Sequence, residues 1–542
     1  MKRKHLIYIR RSIQALFLIL FIILLIQTRL PQDVYIDYSI ALGSEQDIRI
    51  DSPVTLFFKA DPLIWLTSVI AGHQWIAGFG LALLVVIITM LFGRAFCGFI
   101  CPFGTIHNMV GMTKPALKGK RRIDGNEKSS IQKVKYFILF TIIIAALFGL
   151  NVAGIMDPFS FLFRSLALGV FPGIGIGLKE LFDIMARSDI KILNLSSYAA
   201  EVFVSPVFGY GYKSFQTGWL IGTLFLFILF LNRIRPRFWC RVLCPLGAML
   251  GIVSKFSIMK LEKDTEKCTD CKLCVKHCQG AASPIPGKQW ESAECLSCFN
   301  CFNICPEDVI SFKFRLSPTT NPLPDVGRRA ILGSVVAGIS LPFLGRLDGQ
   351  IHKIPNPLLI RPPGSVREKD FLALCQRCGL CMKVCPTNAI NPALTEGGMA
   401  GFWTPNLIMI HGYCEYSCTL CSSICPTGAI KEISLKEKIQ QPIKIGSAYL
   451  DRGRCLPWSG NSPCIVCEEV CPTSPKSIHL VKTEVPGPDG KKMKVQLPYV
   501  DLKKCVGCGI CENKCPVKGK PAIRIISAGE TRSKKNQILL GF

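Results

Sequence analysis

A chain of 542 residues with a mean hydropathy of +0.35 is too long for one ordinary domain and too apolar to be wholly soluble. Its net charge of +27 comes from basic residues that crowd the ends of apolar segments and form no groove with interleaved aromatics, which argues against nucleic-acid binding. Its 28 cysteines leave three explanations: disulfides, zinc sites or iron–sulfur clusters.

The N-terminal half contains several apolar segments. Residues 1–12 are basic and precede an apolar run from Ile13 to Ile26. Because no small-residue cleavage pattern follows Gln27, we expect a first membrane helix and not a signal peptide. Further spans are predicted at roughly residues 64–92, 134–153 and 217–231.

The basic residues between the spans predict the orientation. Segment 94–135 and the region that begins at Arg233 are rich in Lys and Arg, so both should be cytoplasmic. The loop over residues 31–62 suits the outer side because six acidic side chains outnumber its basic ones: Asp33, Asp37, Glu45, Asp47, Asp51 and Asp61. Four spans with both ends inside the cell result.

Two cysteine pairs follow predicted spans and share the motif C-x3-C-P-[FL]-G. They are Cys97 with Cys101, and Cys240 with Cys244. On one helical turn the two thiols of a pair lie on the same face, so two such turns side by side would assemble four sulfurs at the inner membrane surface. Metal binding, electron relay, redox-active thiols and simple packing all remain open for these pairs.

The region over residues 155–216 is harder to assign. Phe159 to Leu178 is apolar but is interrupted by Arg164 and by a Gly-rich stretch that ends at Gly177. A true span there would put the two cysteine pairs on opposite sides of the membrane. We therefore expect this segment to be interfacial or re-entrant.

The remaining 24 cysteines form six tetrads. Three have the spacing C-x2-C-x2-C-x3-C-P of bacterial ferredoxins, which predicts 4Fe-4S clusters. These regular tetrads are Cys295, Cys298, Cys301, Cys305; Cys375, Cys378, Cys381, Cys385; and Cys505, Cys508, Cys511, Cys515.

Three tetrads depart from this form. The tetrad Cys268, Cys271, Cys274, Cys278 lacks the proline; Cys414, Cys418, Cys421, Cys425 opens with C-x3-C; and Cys455, Cys464, Cys467, Cys471 opens with C-x8-C. Zinc sites usually combine two separated C-x2-C knuckles, and disulfides join distant segments, so both explain these dense loops poorly. We expect six clusters, with a different nuclearity as the open question for the irregular tetrads.

Ferredoxin tetrads work in pairs because the fourth cysteine of each ligates the other cluster. This rule assigns Cys268, Cys271, Cys274 and Cys305 to one cluster. It assigns Cys295, Cys298, Cys301 and Cys278 to the other. Among the last four tetrads, spacing does not decide whether the first pairs with the second or with the fourth.

Between the two sets of tetrads lies a Pro-rich linker, with Pro318, Pro322 and Pro324, followed by Arg328-Arg329 and an apolar stretch from Ala330 to Leu344. Twin arginines before a short apolar run resemble a signal for exporting folded domains. The segment is thus expected to cross the membrane and to put residues 346–542 outside. The alternative is a buried helix with every module cytoplasmic.

The predicted fold class is an α-helical membrane domain, with about four spans and a later anchor segment, joined to α+β bacterial-type ferredoxin modules. Residues 1–260 form the membrane domain and residues 261–317 a two-cluster module. Residues 318–346 are the linker with the anchor, and residues 347–542 a four-cluster module.

Other redox cofactors have weaker signals. The sequence has no Cys-x-x-Cys-His for covalent haem and no Gly-rich nucleotide loop at a strand–helix junction. His73 and His107 lie near membrane boundaries and are candidates for contact with a quinone, although a lone histidine there is more often structural.

These motifs resemble two subunits fused in one chain. Residues 1 to about 320 are similar to NapH, and residues from about 326 onward to NapG. In that family the two form a quinol dehydrogenase that supplies electrons to periplasmic nitrate reductase. The resemblance implies a multi-pass protein of the bacterial inner membrane, with the first ferredoxin module cytoplasmic and the last one periplasmic.

The expected function is electron transfer from membrane quinol, through six 4Fe-4S clusters, to a periplasmic reductase or cytochrome. The partners are then the quinone pool, membrane lipid and that acceptor, and the chain is the quinol dehydrogenase component of a complex. Two alternatives stay open. One is a maturation or regulatory factor for a metalloenzyme, and the other is a polyferredoxin that accepts electrons from cytoplasmic ferredoxin.

Overall fold

The computed structural model describes residues 3–29, 49–50, 52–113, 119–187, 207–208, 213–315, 327–351, 356–460, 462–486, 492–533 and 536. Most of the acidic loop, from Asp33 to Asp51, and the linker prolines 318–324 lie outside these ranges, so the predictions that concern them are not addressed. The chain divides into two compact units. The first contains residues 1–26, 53–174 and 218–342, and the second contains residues 27–52, 175–217 and 343–542.

The first unit is mainly helical. Its helices, three of which continue into the second unit, are Arg3–Gln27, Leu56–Lys59, Pro62–Gly72, Gly80–Phe92, Ala95–Phe99, Pro102–Thr113, Gly119–Asn126, Val134–Leu147, Ala153–Met156, Pro158–Ala186, Gly218–Phe230, Trp239–Leu243, Pro245–Val253, Leu273–Lys276, Asn300–Ile304 and Arg328–Ile351. Short 3-10 turns lie at Ser130–Lys133, Leu231–Arg233, Ser254–Phe256 and Ser292–Glu294.

Within the described ranges four helical stretches are long and apolar enough to cross a membrane: His5–Gln27, Gly119–Leu147, Pro158–Ala186 and Arg328–Gly345. The second of them is made of the helices Gly119–Asn126 and Val134–Leu147 and the 3-10 turn between them. The predicted helical membrane domain is thereby confirmed. The predicted span over 64–92 is divided instead into two helices, because His73 ends the first with a left-handed backbone (φ 49°). Neither piece, of 11 and 13 residues, is long enough to span alone.

The segment from Phe159 to Leu178, expected to be interfacial or re-entrant, lies in the continuous helix Pro158–Ala186, which is long and apolar enough to cross a membrane. Arg164 does not interrupt the helix, because its guanidinium is buried and donates to the carbonyls of Gly154 (3.1 Å) and Ile155 (3.2 Å). Gly169 permits a close helix contact, since a Cβ there would lie 2.8 Å from the backbone nitrogen of Gly222.

The first unit also contains the predicted two-cluster module. Strand Met259–Lys263 precedes its first tetrad and pairs antiparallel with strand Ile310–Phe314, which follows its second tetrad. The strands and the tetrad loops enclose a small apolar core that includes Leu261, Val275 and Ile310. The sheet therefore ties the two ends of the module together.

The second unit is built from short elements around the last four tetrads. Its helices are Glu368–Leu374, Leu380–Val384, Leu420–Ser423, Leu435–Gln440, Val466–Glu469 and Ile510–Asn513, with a 3-10 turn at Met399–Gly401. Its strands pair antiparallel as Ile390–Pro392 with Pro405–Leu407, Ser447–Leu450 with Ile523–Ile526, and Ile478–Pro486 with Lys492–Val500.

A charged network holds the helix that leads into the first of these tetrads. Glu368 accepts from Arg361 Nη2 (2.5 Å) and from Arg532 Nη1 (2.7 Å). Burial alone would raise the pKa of Glu368, but the two guanidinium groups outweigh it and lower this pKa to about 2. Glu368 therefore links Arg361 to Arg532, which are 171 positions apart in the sequence.

We expect Glu368→Gln to destabilise the second unit by about 1–3 kcal/mol, because the substitution leaves the buried Arg361 guanidinium without its counter-charge. The measurement is the thermal unfolding midpoint of the detergent-solubilised chain. The pKa of Glu368 is lower in the folded state than in the unfolded state. Its ionised form therefore contributes fully to the free energy of unfolding above the unfolded carboxyl pKa of about 4.3, and this contribution is lost as the pH falls toward 2. The difference in unfolding midpoint between Glu368→Gln and the wild type should thus be constant from about pH 8 to 5 and become smaller below about pH 4.

The matched control is Asp370→Asn on the same helix. Asp370 pairs with Arg367, whose side chain is 80% exposed, so its removal should cost less than about 1 kcal/mol. Equal losses for the two variants would show that the network is not specifically stabilising.

Candidate metal centres

The structure brings the cysteines of the first module into two quartets. One cavity is lined by Cys268, Cys271, Cys274 and, from the other tetrad, Cys305. Cys301 lies in electrostatic range of Cys295, Cys298 and, from the other tetrad, Cys278. This is the exchange of fourth cysteines that the spacing predicted.

The same exchange resolves the pairing among the last four tetrads. The first pairs with the second: one cavity is lined by Cys375, Cys378, Cys381 and Cys425, while Cys421 lies near Cys414, Cys418 and Cys385. The third pairs with the fourth: one cavity is lined by Cys455, Cys464, Cys467 and Cys515, while Cys511 lies near Cys505, Cys508 and Cys471.

Backbone pairing explains this arrangement. In each module, chain before the first tetrad pairs antiparallel with chain after the second. Strand Ser447–Leu450 pairs with Ile523–Ile526, as Met259–Lys263 pairs with Ile310–Phe314, and Ser365 forms an isolated bridge with Ile430. Three modules therefore share one topology, in which closing the sheet brings each fourth cysteine to the partner tetrad.

Four tetrad loops share a backbone feature. The second and fourth residues after the first cysteine have positive φ in the loops that start at Cys268, Cys295, Cys375 and Cys505. In each loop, two residues with left-handed backbone curve the chain around the cavity. Because most of these residues are not glycine, the backbone of the loops is locally strained. The loops that start at Cys414 and Cys455 lack this pair of positive φ values and use their longer first spacing instead.

Three of the quartets line cavities, and the regular tetrads have the cysteine spacing of iron–sulfur ligands. Among the described residues no three His, Cys, Asp or Glu side chains are arranged to hold a single metal ion, whereas cysteine quartets line cavities. Burial and the neighbouring sulfurs raise the pKa of Cys301, Cys421 and Cys511. Thiolates therefore need a cationic core between them, as iron provides.

Hydrogen-bond donors surround several sulfurs. The backbone N–H groups of Ala282 and Ile430 donate to Cys278 Sγ (3.3 Å) and Cys425 Sγ (3.5 Å). In three tetrads the last cysteine opens a Cys-Pro-Thr sequence whose threonine hydroxyl lies close to the sulfur: Thr387 at 3.5 Å from Cys385, Thr427 at 3.9 Å from Cys425 and Thr473 at 3.3 Å from Cys471. Sequence reasoning missed these threonines, although the repeated Cys-Pro-Thr was a visible signal.

Lys438 was also missed. Its side chain is buried, with Nζ 3.6 Å from Cys414 Sγ and bonded to the carbonyls of Glu415 (2.6 Å) and Cys418 (2.7 Å). Burial alone would lower the pKa of Lys438, but the sulfurs of Cys414 and Cys418 outweigh it and raise this pKa. A permanent positive charge therefore lies beside one quartet.

Neighbouring quartets of the second unit lie close together. Cys381 is in electrostatic range of Cys421, and Cys511 of Cys467, so the two quartets within each module adjoin. The two modules meet where the Cys414 N–H donates to the Cys508 carbonyl (2.8 Å). The four quartets therefore follow one another without a gap.

The two membrane-edge pairs also come together. Cys101 lies in electrostatic range of both Cys97 and Cys240, and Cys244 of Cys97 and Cys240. Cys97 lies in the short helix Ala95–Phe99 and Cys240 in the turn Trp239–Leu243, and the second cysteine of each pair follows at the end of that turn. Pro102 and Pro245 then begin new helices directly after the second cysteines. Assembly of the four sulfurs thus depends on two helix breaks.

The two candidate histidines differ in environment. His73 is exposed at a helix end, whereas His107 is fully buried and lines a cavity together with Arg10, Arg237 and the quartet residue Cys278. His107 Nδ1 lies 2.9 Å from Asn232 Oδ1. Burial lowers the pKa of His107 to about 4, so its imidazole is neutral at physiological pH.

The positive charge of Lys438 should raise the reduction potential of a cluster held by Cys414, Cys418, Cys421 and Cys385. We expect Lys438→Gln to lower that one potential by tens of millivolts, on the order of one charge at this distance in a protein interior. A redox titration followed by electron paramagnetic resonance (EPR) measures this shift. The control is Lys436→Gln, an exposed lysine on the same helix, which should shift no signal.

Substitution of one cysteine tests the pairing. We expect Cys425→Ala to remove the cluster of Cys375, Cys378 and Cys381 and to leave that of Cys414, Cys418 and Cys421 intact. The reciprocal variant, Cys385→Ala, should have the opposite effect. Lys438 lies beside the second of these quartets, so the EPR signal that shifts in Lys438→Gln belongs to the cluster of Cys414, Cys418 and Cys421. Loss of that signal in Cys425→Ala would disprove the exchange of fourth cysteines.

Comparison with known families agrees with this geometry. The family described as "4Fe-4S binding domain" matches residues 74–124 and 215–263, and a second family of that description matches residues 498–518. The "4Fe-4S dicluster domain" matches residues 374–429, which contain the first and second tetrads of the second unit. No solved structure matches the chain.

Individual relatives are ferredoxin-type proteins. The chain is 28% identical over 268 residues to the ferredoxin-type protein NapH of Haemophilus influenzae (47% of this chain, 75% of NapH). It is 36% identical over 175 residues to the methylamine utilization ferredoxin-type protein MauM of Methylorubrum extorquens (31% of this chain, 72% of MauM). Over 262 residues it is 26% identical to the putative electron transport protein YccM of Escherichia coli (48% of this chain, 62% of YccM). The resemblance to NapH is confirmed, and the chain is a membrane protein that belongs to the family of iron–sulfur, ferredoxin-type electron-transfer proteins that includes NapH and MauM.

Proposed function

We propose that this protein oxidises membrane quinol and delivers the electrons, one at a time, to a periplasmic reductase or cytochrome. The 24 cysteines of the six quartets are the proposed ligands of six 4Fe-4S clusters. Such a cluster, when bound, accepts and releases single electrons at a potential set by its surroundings. The protein's own task is then to hold the clusters close together and to tune them.

The succession of cysteine quartets supports this proposal most directly. In the second unit four quartets adjoin, and in the first unit the two quartets adjoin each other, since Cys301 lies in electrostatic range of Cys274. A storage or purely structural role would need no such continuity. Hydroxyl groups and buried cations beside the sulfurs, such as those of Thr473 and Lys438, are the features that adjust potentials along an electron path.

The cavity of the first unit that contains His107 is the proposed quinol site. It combines apolar side chains, such as Ile7 and Met112, with polar groups and with the quartet residue Cys278. A neutral imidazole accepts a proton, as oxidation of a quinol hydroxyl requires. Within the described residues His107 Nε2 is buried without a hydrogen-bond partner, so it is available for this contact.

The proposed location is the bacterial inner membrane. The basic residues on either side of the cysteine pairs support a cytoplasmic first module, and the Arg328-Arg329 pair that begins the helix Arg328–Ile351 supports a periplasmic last module. The names of the relatives refer to different pathways, so nitrate reductase is one proposed acceptor among periplasmic enzymes of this class.

We expect added quinol to reduce the clusters in anaerobic membranes that contain the protein, as followed by EPR. His107→Gln should slow this reduction about 10- to 100-fold, since it removes the proton acceptor, while chemical reduction with dithionite stays unchanged. The control is His73→Gln, because His73 is exposed at a helix end.

The same experiment separates the alternatives. Reduction by cytoplasmic ferredoxin without quinol would favour the polyferredoxin role. Clusters that neither donor reduces would favour a maturation or regulatory factor and contradict the proposal.

A further inference from the structure

The four quartets of the second unit form a series with two ends. The inner two meet where the Cys414 N–H donates to the Cys508 carbonyl (2.8 Å). Each inner quartet also adjoins one outer quartet, through the contact within its own module. We call the outer two the anchor quartet and the terminal quartet. The anchor quartet is Cys375, Cys378, Cys381 and Cys425, and the terminal quartet is Cys455, Cys464, Cys467 and Cys515.

The anchor quartet is tied to segments that lead to apolar helices. Gly345 belongs to the helix of the anchor segment, and a Cβ there would lie 3.1 Å from Ala400 Cβ. The Ala400 carbonyl accepts from Arg377 Nη2 (2.7 Å), which is on the first loop of the anchor quartet. Lys213, shortly before another apolar helix, donates to the Cys385 carbonyl (2.6 Å) in the same module. The terminal quartet is therefore at the opposite end of the series.

Basic side chains surround the terminal quartet. Two loops that line its cavity, residues 452–464 and 514–523, contain five basic side chains and no acidic one: Arg452, Arg454, Lys514, Lys518 and Lys520. All five are exposed. The two loops touch, since Arg454 Nε donates to the Lys520 carbonyl (3.0 Å). The five charges therefore belong to one surface.

The acidic groups at the edges of these loops do not balance this charge. Asp451, which precedes the first loop, pairs with Arg524 (3.5 Å). Glu468, which follows a cysteine of the quartet, pairs with Lys476 (2.9 Å). Glu469 is exposed and adds one negative charge against the five positive ones. The surface around the terminal quartet therefore stays positive.

Exposed apolar groups adjoin the same sulfurs. Ile465 follows Cys464 and is 37% exposed. Pro516 follows Cys515, is exposed and also lines the cavity of the terminal quartet. Protein interfaces combine an apolar centre with a polar or charged rim. A protein that covers these groups would therefore lie directly against the chain that holds the cysteines.

The cations at the two ends of the series differ in exposure. Arg377, at the anchor quartet, is 2% exposed and donates to backbone carbonyls, so it can adjust a potential but cannot contact a partner. Arg454, Lys518 and Lys520 are exposed, so water and ions screen their effect on a buried centre. Exposed charge of one sign instead attracts and orients a protein of opposite charge.

We propose that this surface is where electrons leave the chain, and that it binds a soluble one-electron carrier protein through an acidic face of that carrier. One electron passes from a reduced cluster at the terminal quartet to the haem iron or copper of the carrier, which that electron reduces. No bond forms or breaks. The direction of electron flow rests on the proposed function, whereas the charge of the docking face does not.

The test uses full-length protein in detergent, reduced with dithionite and freed of excess reductant without air. The probe is oxidised cytochrome c whose lysines have been succinylated, which makes it acidic, and unmodified basic cytochrome c is the comparison. At low salt we expect the acidic form to be reduced at least about 10-fold faster. The difference should disappear as salt rises from about 20 mM to about 500 mM, because the Debye length falls from about 20 Å to about 4 Å.

Neutral variants locate the surface. The triple variant Arg454→Gln/Lys518→Gln/Lys520→Gln should reduce the acidic cytochrome about 10-fold more slowly than wild type at low salt and equally fast at high salt. The matched control removes the same charge from exposed positions of the other module, with Lys369→Gln/Lys431→Gln/Lys436→Gln. It should change the rate by less than about 2-fold. Equal rates for the two triple variants would overturn the proposal.

Charge reversal excludes loss of folding as the explanation. Lys518→Glu/Lys520→Glu should slow reduction of the acidic cytochrome and speed that of the basic one, and a misfolded protein would not gain rate. No gain with the basic form, or a wild-type preference for it, would contradict the acidic partner. None of these measurements uses quinol, so their failure is distinct from failure of the proposed quinol oxidation.

Discussion

Each ferredoxin module depends on the exchange of a fourth cysteine between two tetrads. The three N-terminal cysteines of a tetrad lie on one loop, and the fourth lies across the module, so neither quartet is complete until the chain has closed on itself. Antiparallel pairing of the module's two ends brings about this closure, as in Met259–Lys263 with Ile310–Phe314. Folding of the module and assembly of its metal centres are therefore one process.

Buried Lys and Arg side chains lie beside the cysteine quartets. Lys438 lies beside a quartet of the second unit, and Arg10 and Arg241 donate to the carbonyls of Cys298 and Cys278 in the first. Arg94 and Arg237 are buried beside the membrane-edge cysteines. Each buried cation would be unfavourable alone, and each is explained by anionic thiolate clusters next to it. Part of the chain's net charge of +27 therefore has an internal function.

Cysteine spacing alone predicted the quartets of the first module, because the exchange rule follows from loop geometry. It did not pair the last four tetrads, since that pairing is set by strands such as Ser447–Leu450 and Ile523–Ile526, whose partners are distant in sequence. Hydropathy predicted a helical membrane domain. It did not predict the helix end at His73, and it predicted an interruption at Arg164 where the helix is continuous. At His73 one left-handed backbone conformation ends the helix, and at Arg164 hydrogen bonds of the buried guanidinium let the helix continue. The threonines after the last cysteines and Lys438 were missed because their role appears only when the sulfurs are in place.

The most direct test of the account is the metal content of the full chain, purified without air. Six clusters predict about 24 irons and about 24 acid-labile sulfides per chain. Zinc bound at the cysteines, or iron without labile sulfide, would contradict the central claim that sulfur-bridged iron clusters occupy the quartets.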